Sequence, residues 1–166
     1  MPGHPDPDVL VGTWMGGGAG DYPTIEPFTY RETVDIATVP GKPFLAYTQR
    51  TSHPDTGAPM HAEVGYLRFP ASEGPQQPAE MTVAQPTGVT ECHRGTVEPT
   101  ADGVVLDLAS VSVGCTPTAK EVTSVRRRIV VAGDVLTYDL WMAAVGQPDT
   151  LHLHAELHRQ PHHLTS

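Results

Sequence analysis

Apolar side chains recur at every second position along most of this chain, and proline- or glycine-rich turns cut the pattern at short intervals. A two-residue period belongs to strands. Phe28, Tyr30, Val34 and Ile36 fall on one side of segment 28–39, with Thr29, Arg31, Thr33 and Asp35 on the other. Segments 44–51, 60–69, 80–84, 89–98, 104–113, 122–131, 135–145 and 151–159 read as further strands, and one more is expected near Thr13. Between them stand Pro40-Gly41-Lys42-Pro43 and Pro54-Asp55-Thr56-Gly57, turns by composition, and Asp102-Gly103 and Gly133-Asp134, where tight hairpins belong. Gly 16 and Pro 17 make about a fifth of the 166 residues, against an average of about 12%, which leaves no room for long helices. The pattern predicts an all-β fold, an antiparallel up-and-down barrel of about ten strands. A Greek-key sandwich is the alternative. The barrel is favoured because consecutive strands pair without crossovers and closure removes exposed edges.

The length fits one domain, expected over residues 10–160. Residues 1–9, polar and proline-rich without a basic region, read as a disordered lead-in rather than a signal peptide, and 161–166 as a tail. A net charge of -9 argues against nucleic acid as a partner. No apolar run approaches the ~18 residues of a membrane helix. Cys92 and Cys115, with no CxxC spacing, read as reduced thiols in a cytoplasmic protein.

Three sets of residues invite a chemical reading. The first is the glycine-rich stretch from Gly12 through Trp14, Gly16, Gly18 and Gly20 to Tyr22-Pro23-Thr24-Ile25. It lacks the GK[ST] ending of a phosphate loop, and Pro23 and Pro27 oppose a following helix. On its residues alone it is a strand carrying Trp14 inward, with glycines where the backbone bends or approaches something closely. The second is Leu151-His152-Leu153-His154-Ala155-Glu156-Leu157-His158. Alternation sets the leucines on one face and His152, His154, Glu156 and His158 on the other, either a solvated outer face or a grip for a divalent metal. The third set, Met60-His61, Gln85 and Met142, lies on strands that could face a cavity or simply fill the core. Arg126-Arg127-Arg128 reads as a solvated strand segment, with Arg127 as its inward member. No Ser-His-Asp order or G-x-S-x-G elbow is present.

The glycine stretch, read as Gly12-x-Trp14-x-Gly16-x-Gly18-x-Gly20-x-Tyr22-Pro23-Thr24-Ile25, resembles the signature of the nitrobindins. These are haem-binding barrels of lipocalin-like shape, related to fatty-acid-binding proteins. The resemblance runs on through Gly41-Lys42-Pro43-Phe44, Met60-His61-Ala62-Glu63, Ala84-Gln85-Pro86, Thr118-Ala119-Lys120-Glu121 and Met142-Ala143-Ala144-Val145-Gly146-Gln147-Pro148 to His152-Leu153. It implies a ten-stranded barrel holding one haem b at its mouth, the ferric iron bound by a single histidine. In the family that histidine stands ten residues after the methionine of the Met-Ala stretch and before a leucine, which here is His152. Strict alternation sets His152 opposite the leucine face. Its place just after the Gly146–Asp149 loop allows it to turn inward at the rim. The resemblance also assigns Lys120 to a haem propionate, Thr24 to a position near the porphyrin, and Met60, His61, Gln85 and Met142 to the pocket wall.

The implied activity is isomerisation of peroxynitrite to nitrate at ferric haem, together with nitric oxide binding. It needs neither a general base nor a second substrate, in keeping with the lack of a catalytic dyad. A carrier of fatty acids or other lipophilic ligands is the alternative, with Arg127 and Tyr47 or Tyr66 clamping a carboxylate. A zinc or nickel site on the histidine strand is a third reading.

Overall fold

The computed structural model describes residues 6–162. Ten strands run β1 Gly12–Tyr22, β2 Ile25–Thr38, β3 Phe44–Ser52, β4 Pro59–Arg68, β5 Gln77–Ala84, β6 Val89–Pro99, β7 Gly103–Cys115, β8 Val122–Ala132, β9 Val135–Ala144 and β10 Thr150–Arg159. Each pairs antiparallel with its neighbours in sequence, and β1 pairs with β10 to close the barrel. No Greek-key crossover interrupts the order, so the up-and-down barrel holds and the sandwich does not. Among the described residues no helix is long and apolar enough to cross a membrane.

Alternation places the strands' apolar residues inside. Val34 and Ile36 of β2, Leu45 of β3, Leu67 of β4, Met81 and Val83 of β5, Leu106 of β7 and Leu136 of β9 are all buried. Burial of such side chains supplies about 1.5–3 kcal/mol each. The up-and-down order sends alternate connections to opposite ends. One end is closed by a single 3-10 turn, Pro7–Leu10, capped by the Asp6 carboxylate on the Asp8 N–H at 3.0 Å. Leu10 is fully buried there, and its carbonyl accepts the Trp14 indole N–H at 2.9 Å. Arg159 stacks on the Trp14 ring at 4.1 Å and donates to the carbonyls of Val9 and Val11. The described part of the expected lead-in, from Asp6 to Val9, is therefore folded against the barrel, because Leu10 and Trp14 need a lid over the core. The rest of it, and residues 163–166 of the expected tail, lie outside the described residues.

At the other end the β1–β2, β3–β4, β5–β6, β7–β8 and β9–β10 connections form an open rim. Strands β1, β2, β5 and β7 run longer than the sequence pattern implies. β1 continues through all its glycines to Tyr22, and β5 begins at Gln77 despite Pro78. Cys92 and Cys115 are free and exposed.

Candidate functional site

The glycines of β1 are spaced to admit aromatic side chains from β2. Trp14, Gly16, Gly18, Gly20 and Tyr22 all take the inward register. A Cβ built at Gly18 would stand 2.4 Å from the Tyr30 phenol, and one at Gly20 would stand 2.2 Å from the Phe28 ring. Only hydrogen fits at these positions. Phe28 and Tyr30 therefore lie across the inner surface of β1 and form one wall at the rim, their rings 6.0 Å apart. Tyr22, which closes the motif, reaches over to β9. Its hydroxyl accepts the Ala144 N–H at 2.9 Å and lies 3.2 Å from the Met142 carbonyl, tying the two strand ends together.

His152 stands against this wall. A β-bulge interrupts the β9–β10 pairing: Leu151 faces Trp141 and Leu153 faces Leu140, with His152 as the extra residue between them. The bulge reverses the alternation that the sequence pattern carries back to Leu151. Leu151 is turned out to solvent, while His152 and Leu153 both line the cavity at the rim. The imidazole packs edge-on against Tyr22 at 5.3 Å and against Phe28 at 6.2 Å. Its Nδ1 lies 3.0 Å from the Asp21 carbonyl oxygen. A carbonyl only accepts, so Nδ1 carries the proton and Nε2 keeps its lone pair, with no hydrogen-bond partner among the described residues. Burial lowers the His152 pKa, outweighing the opposing pull of the Asp21 carbonyl, and so favours the neutral, metal-binding form.

His152 stands at the seam of two spaces. An outer groove of about 710 Å3 runs past Gly20, Phe28, Met60 and Leu151, and an inner cavity of about 210 Å3 is lined by Tyr30, His61, Gln85, Met142 and Leu153. Met60, His61, Gln85 and Met142 are thus brought together around His152. Thr24 and Lys120 lie on the same rim, in the β1–β2 and β7–β8 connections, but line neither space. His154 and His158 point outward and pair with Asp139 at 2.7 Å and Glu156 at 3.1 Å. No group of three or more metal-binding side chains assembles among the described residues.

Below the rim is a polar network that the sequence pattern did not single out. Arg127, 7% exposed, donates to both Glu63 oxygens at 2.8 and 2.9 Å and to Glu91 at 2.8 Å. Glu91 in turn holds His93 at 2.6 Å and Gln85 at 2.6 Å, and Tyr47 donates to Glu63 at 3.1 Å. Burial alone would raise both carboxylates, but Arg127 overrides it and holds them below the usual range. Glu32 lacks such a direct partner. It accepts from Tyr138 at 2.7 Å and from Gln49 at 3.2 Å, and burial pushes its pKa up to about 7. The signal was present in the alternation, because Glu32, Gln49, Glu63, Glu91 and Arg127 all occupy the inward register of their strands.

This network bears on the carrier reading. The Arg127 guanidinium that would clamp a fatty acid is already taken by Glu63 and Glu91. Tyr66 lies outside the barrel, packed on Phe44 at 5.4 Å.

The rim offers the His152 imidazole with its Nε2 unpartnered, a second imidazole at His61, and walls of aromatic, apolar and polar side chains, a donor set that fits haem iron. Residues 7–159 match the family model described as the THAP4-like, heme-binding beta-barrel domain. The chain belongs to that family. Among curated relatives of the THAP4-like barrel, peroxynitrite isomerase 2 of Mycobacterium marinum is 48% identical over 160 residues, covering 95% of this chain and 96% of its own length. Peroxynitrite isomerase 1 of Mycobacterium tuberculosis is 49% identical over 156 residues, 91% of each chain. The crystal structure of Rv2717c from M. tuberculosis superposes with a TM-score of 0.86 at 46% identity, over 95% of this chain and all of that one. Haem is thus the cofactor of this barrel family, and the residues around His152 fit it.

Proposed function

We propose that this chain holds one b-type haem at its rim through His152 and, with the iron ferric, isomerises peroxynitrite to nitrate and also binds nitric oxide. The observation that carries the reading is the bulge at His152, which turns one neutral imidazole inward and orients it through the Asp21 carbonyl. A second-sphere hydrogen bond of this kind fixes the tautomer and strengthens the ring as a ligand. When bound, ferric haem supplies a Lewis-acid centre for the substrate's terminal oxygen.

The chain's own part is to hold and screen. Leu153 shields the imidazole from water, and Tyr22 and Phe28 fix its plane. Met60, His61, Gln85 and Met142 wall the space beside it, while Thr24 and Lys120 stand on the rim where propionates meet solvent. The names carried by the mycobacterial relatives, at close to half identity over nearly the whole chain, support the same reaction here.

The test compares His152→Ala, His154→Ala and His158→Ala by Soret titration and by stopped-flow peroxynitrite decay with nitrate analysis. His152→Ala is expected to lose stable ferric-haem binding and isomerisation together, while the other two retain both. Loss of haem in His154→Ala alone would move the ligand by two residues.

A further inference from the structure

Beneath the rim cavity, in the middle of the barrel, lies a second cavity of about 40 Å3. Its walls are mostly the apolar side chains of Val34, Ile36, Leu67, Ile129 and Leu136. The polar groups along one side are largely engaged with one another. Glu32, Tyr138, Tyr47, Glu63 and Arg127 are hydrogen-bonded to one another or to Gln49 and Glu91. The two atoms left without a partner, Gln49 Oε1 and Arg127 Nε, are covered by packing. A water needs only about 10–15 Å3 but also two to four polar partners, whereas an apolar cavity of about 150 Å3 stays dry and binds benzene or xenon. This cavity has the room for a small molecule, its surface is mainly apolar, and most of its polar groups are already engaged with one another. It is far too small for an acyl chain.

The cavity adjoins the rim space through a shared partition of Gln49, His61, Glu63, Leu140 and Leu153. We propose that it is a docking site for a small, neutral, apolar molecule of diatomic size, holding nitric oxide beside the haem site when it leaves the iron. Naming nitric oxide as the occupant rests on the haem reading of the rim; the docking site itself does not. Dispersion contacts with the aliphatic walls favour such a guest over bulk water, and no charge has to be moved. Its consequence is kinetic. A diatomic that leaves the iron waits behind the partition and rebinds before it escapes.

Xenon is the probe for the site itself. The full chain, with and without haem, is placed under xenon pressure and followed by xenon NMR and by crystallography. A saturable site among Val34, Ile36, Leu67 and Leu136 is expected, and it is lost in Leu136→Phe, which fills the space. Val34→Ile fills less of it and guards against a misfolded first variant; weakened xenon binding is expected there. Neither residue lines the rim. Absence of bound xenon in the wild-type chain, or binding that both variants leave unchanged, overturns the proposal. In the haem-loaded protein, flash photolysis of bound nitric oxide should show a slow geminate phase that Leu136→Phe abolishes. If xenon binds but that phase is unchanged in the variant, the assignment to nitric oxide is wrong. Failure to take up haem would strike the rim reading and leave the xenon result standing.

Discussion

Burial brings the Glu32 carboxyl into the neutral pH range. Its pKa rises from an ordinary 4.5 to about 7, so the folded chain holds a proton there that the unfolded chain has released. The sign follows from linkage: stability from this group is fully present below about 4.5 and is lost as pH rises through 7, on the order of 3 kcal/mol. Glu63 and Glu91 act the other way, their lowered values giving stability above the ordinary carboxylate range that is lost as pH falls. His152, lowered by burial, gains as pH rises through its ordinary range. The difference between wild type and Glu32→Gln cancels these other groups. Urea denaturation between pH 5 and 8 should show the variant gaining on wild type as pH rises. A constant difference across that range contradicts the account.

The glycine positions give a second test on single side chains. Gly18→Ala sets a methyl 2.4 Å from the Tyr30 phenol, between a packed aromatic and the His154 carbonyl at 2.7 Å. Overpacking of this kind costs about 1–3 kcal/mol. A fall of that size in the denaturation midpoint energy is expected, whereas an unchanged stability would mean that the wall of Phe28 and Tyr30 yields freely.

At the level of elements, two irregularities at the ends of β9 and β10 set the site. The bulge at His152 is one. The other is Val145, just past β9, which takes a positive φ of 45° ahead of Gly146 at 78°. A β-branched residue pays about 1–2 kcal/mol in that region. It is held there by its N–H bond to the Glu121 carbonyl at 3.0 Å and by the turn that Gln147 closes on Ala144 at 2.9 Å. Val145→Gly keeps both bonds and relieves the clash, so a gain of about 1 kcal/mol in unfolding free energy is expected, with haem affinity unchanged. A loss of stability would show that the Val145 side chain packs against the rim more than its exposure suggests.

The same two elements mark where alternation stops being legible. Periodicity located every strand because a two-residue period with turn residues between segments has one simple solution. It missed the inward turn of His152, because a bulge is one extra residue and leaves no mark in a hydrophobic pattern. The ten-residue spacing from Met142, a property of the family signature, and the place of His152 just after the Gly146–Asp149 loop pointed there. Glu32, Glu63 and Glu91 were passed over for a different reason. They stand in the inward register, but an acid in that register becomes an interior group only once Arg127, Tyr138 and Gln49 are known to meet it. Those partners come from three other strands.

For the whole molecule, closure of ten consecutive strands gives each end a separate task. The Leu10–Trp14 end is plugged and bonded to Arg159. The opposite end stays open and gathers His152, Met60, His61, Gln85, Met142, Thr24 and Lys120, which are scattered from residue 24 to residue 152 in the chain. Between the two ends, Glu63 and Glu91 engage both terminal nitrogens of Arg127, so this buried guanidinium is not free for a carboxylate ligand. The central claim is that one imidazole, at His152, carries haem binding and peroxynitrite isomerisation. The measurement that tests it most directly is haem binding and nitrate yield in His152→Gly, with and without added imidazole. The account predicts that both are lost in the variant and return together when imidazole fills the space left by the side chain. A His152→Gly protein that binds ferric haem and isomerises peroxynitrite like wild type, without imidazole, would contradict it.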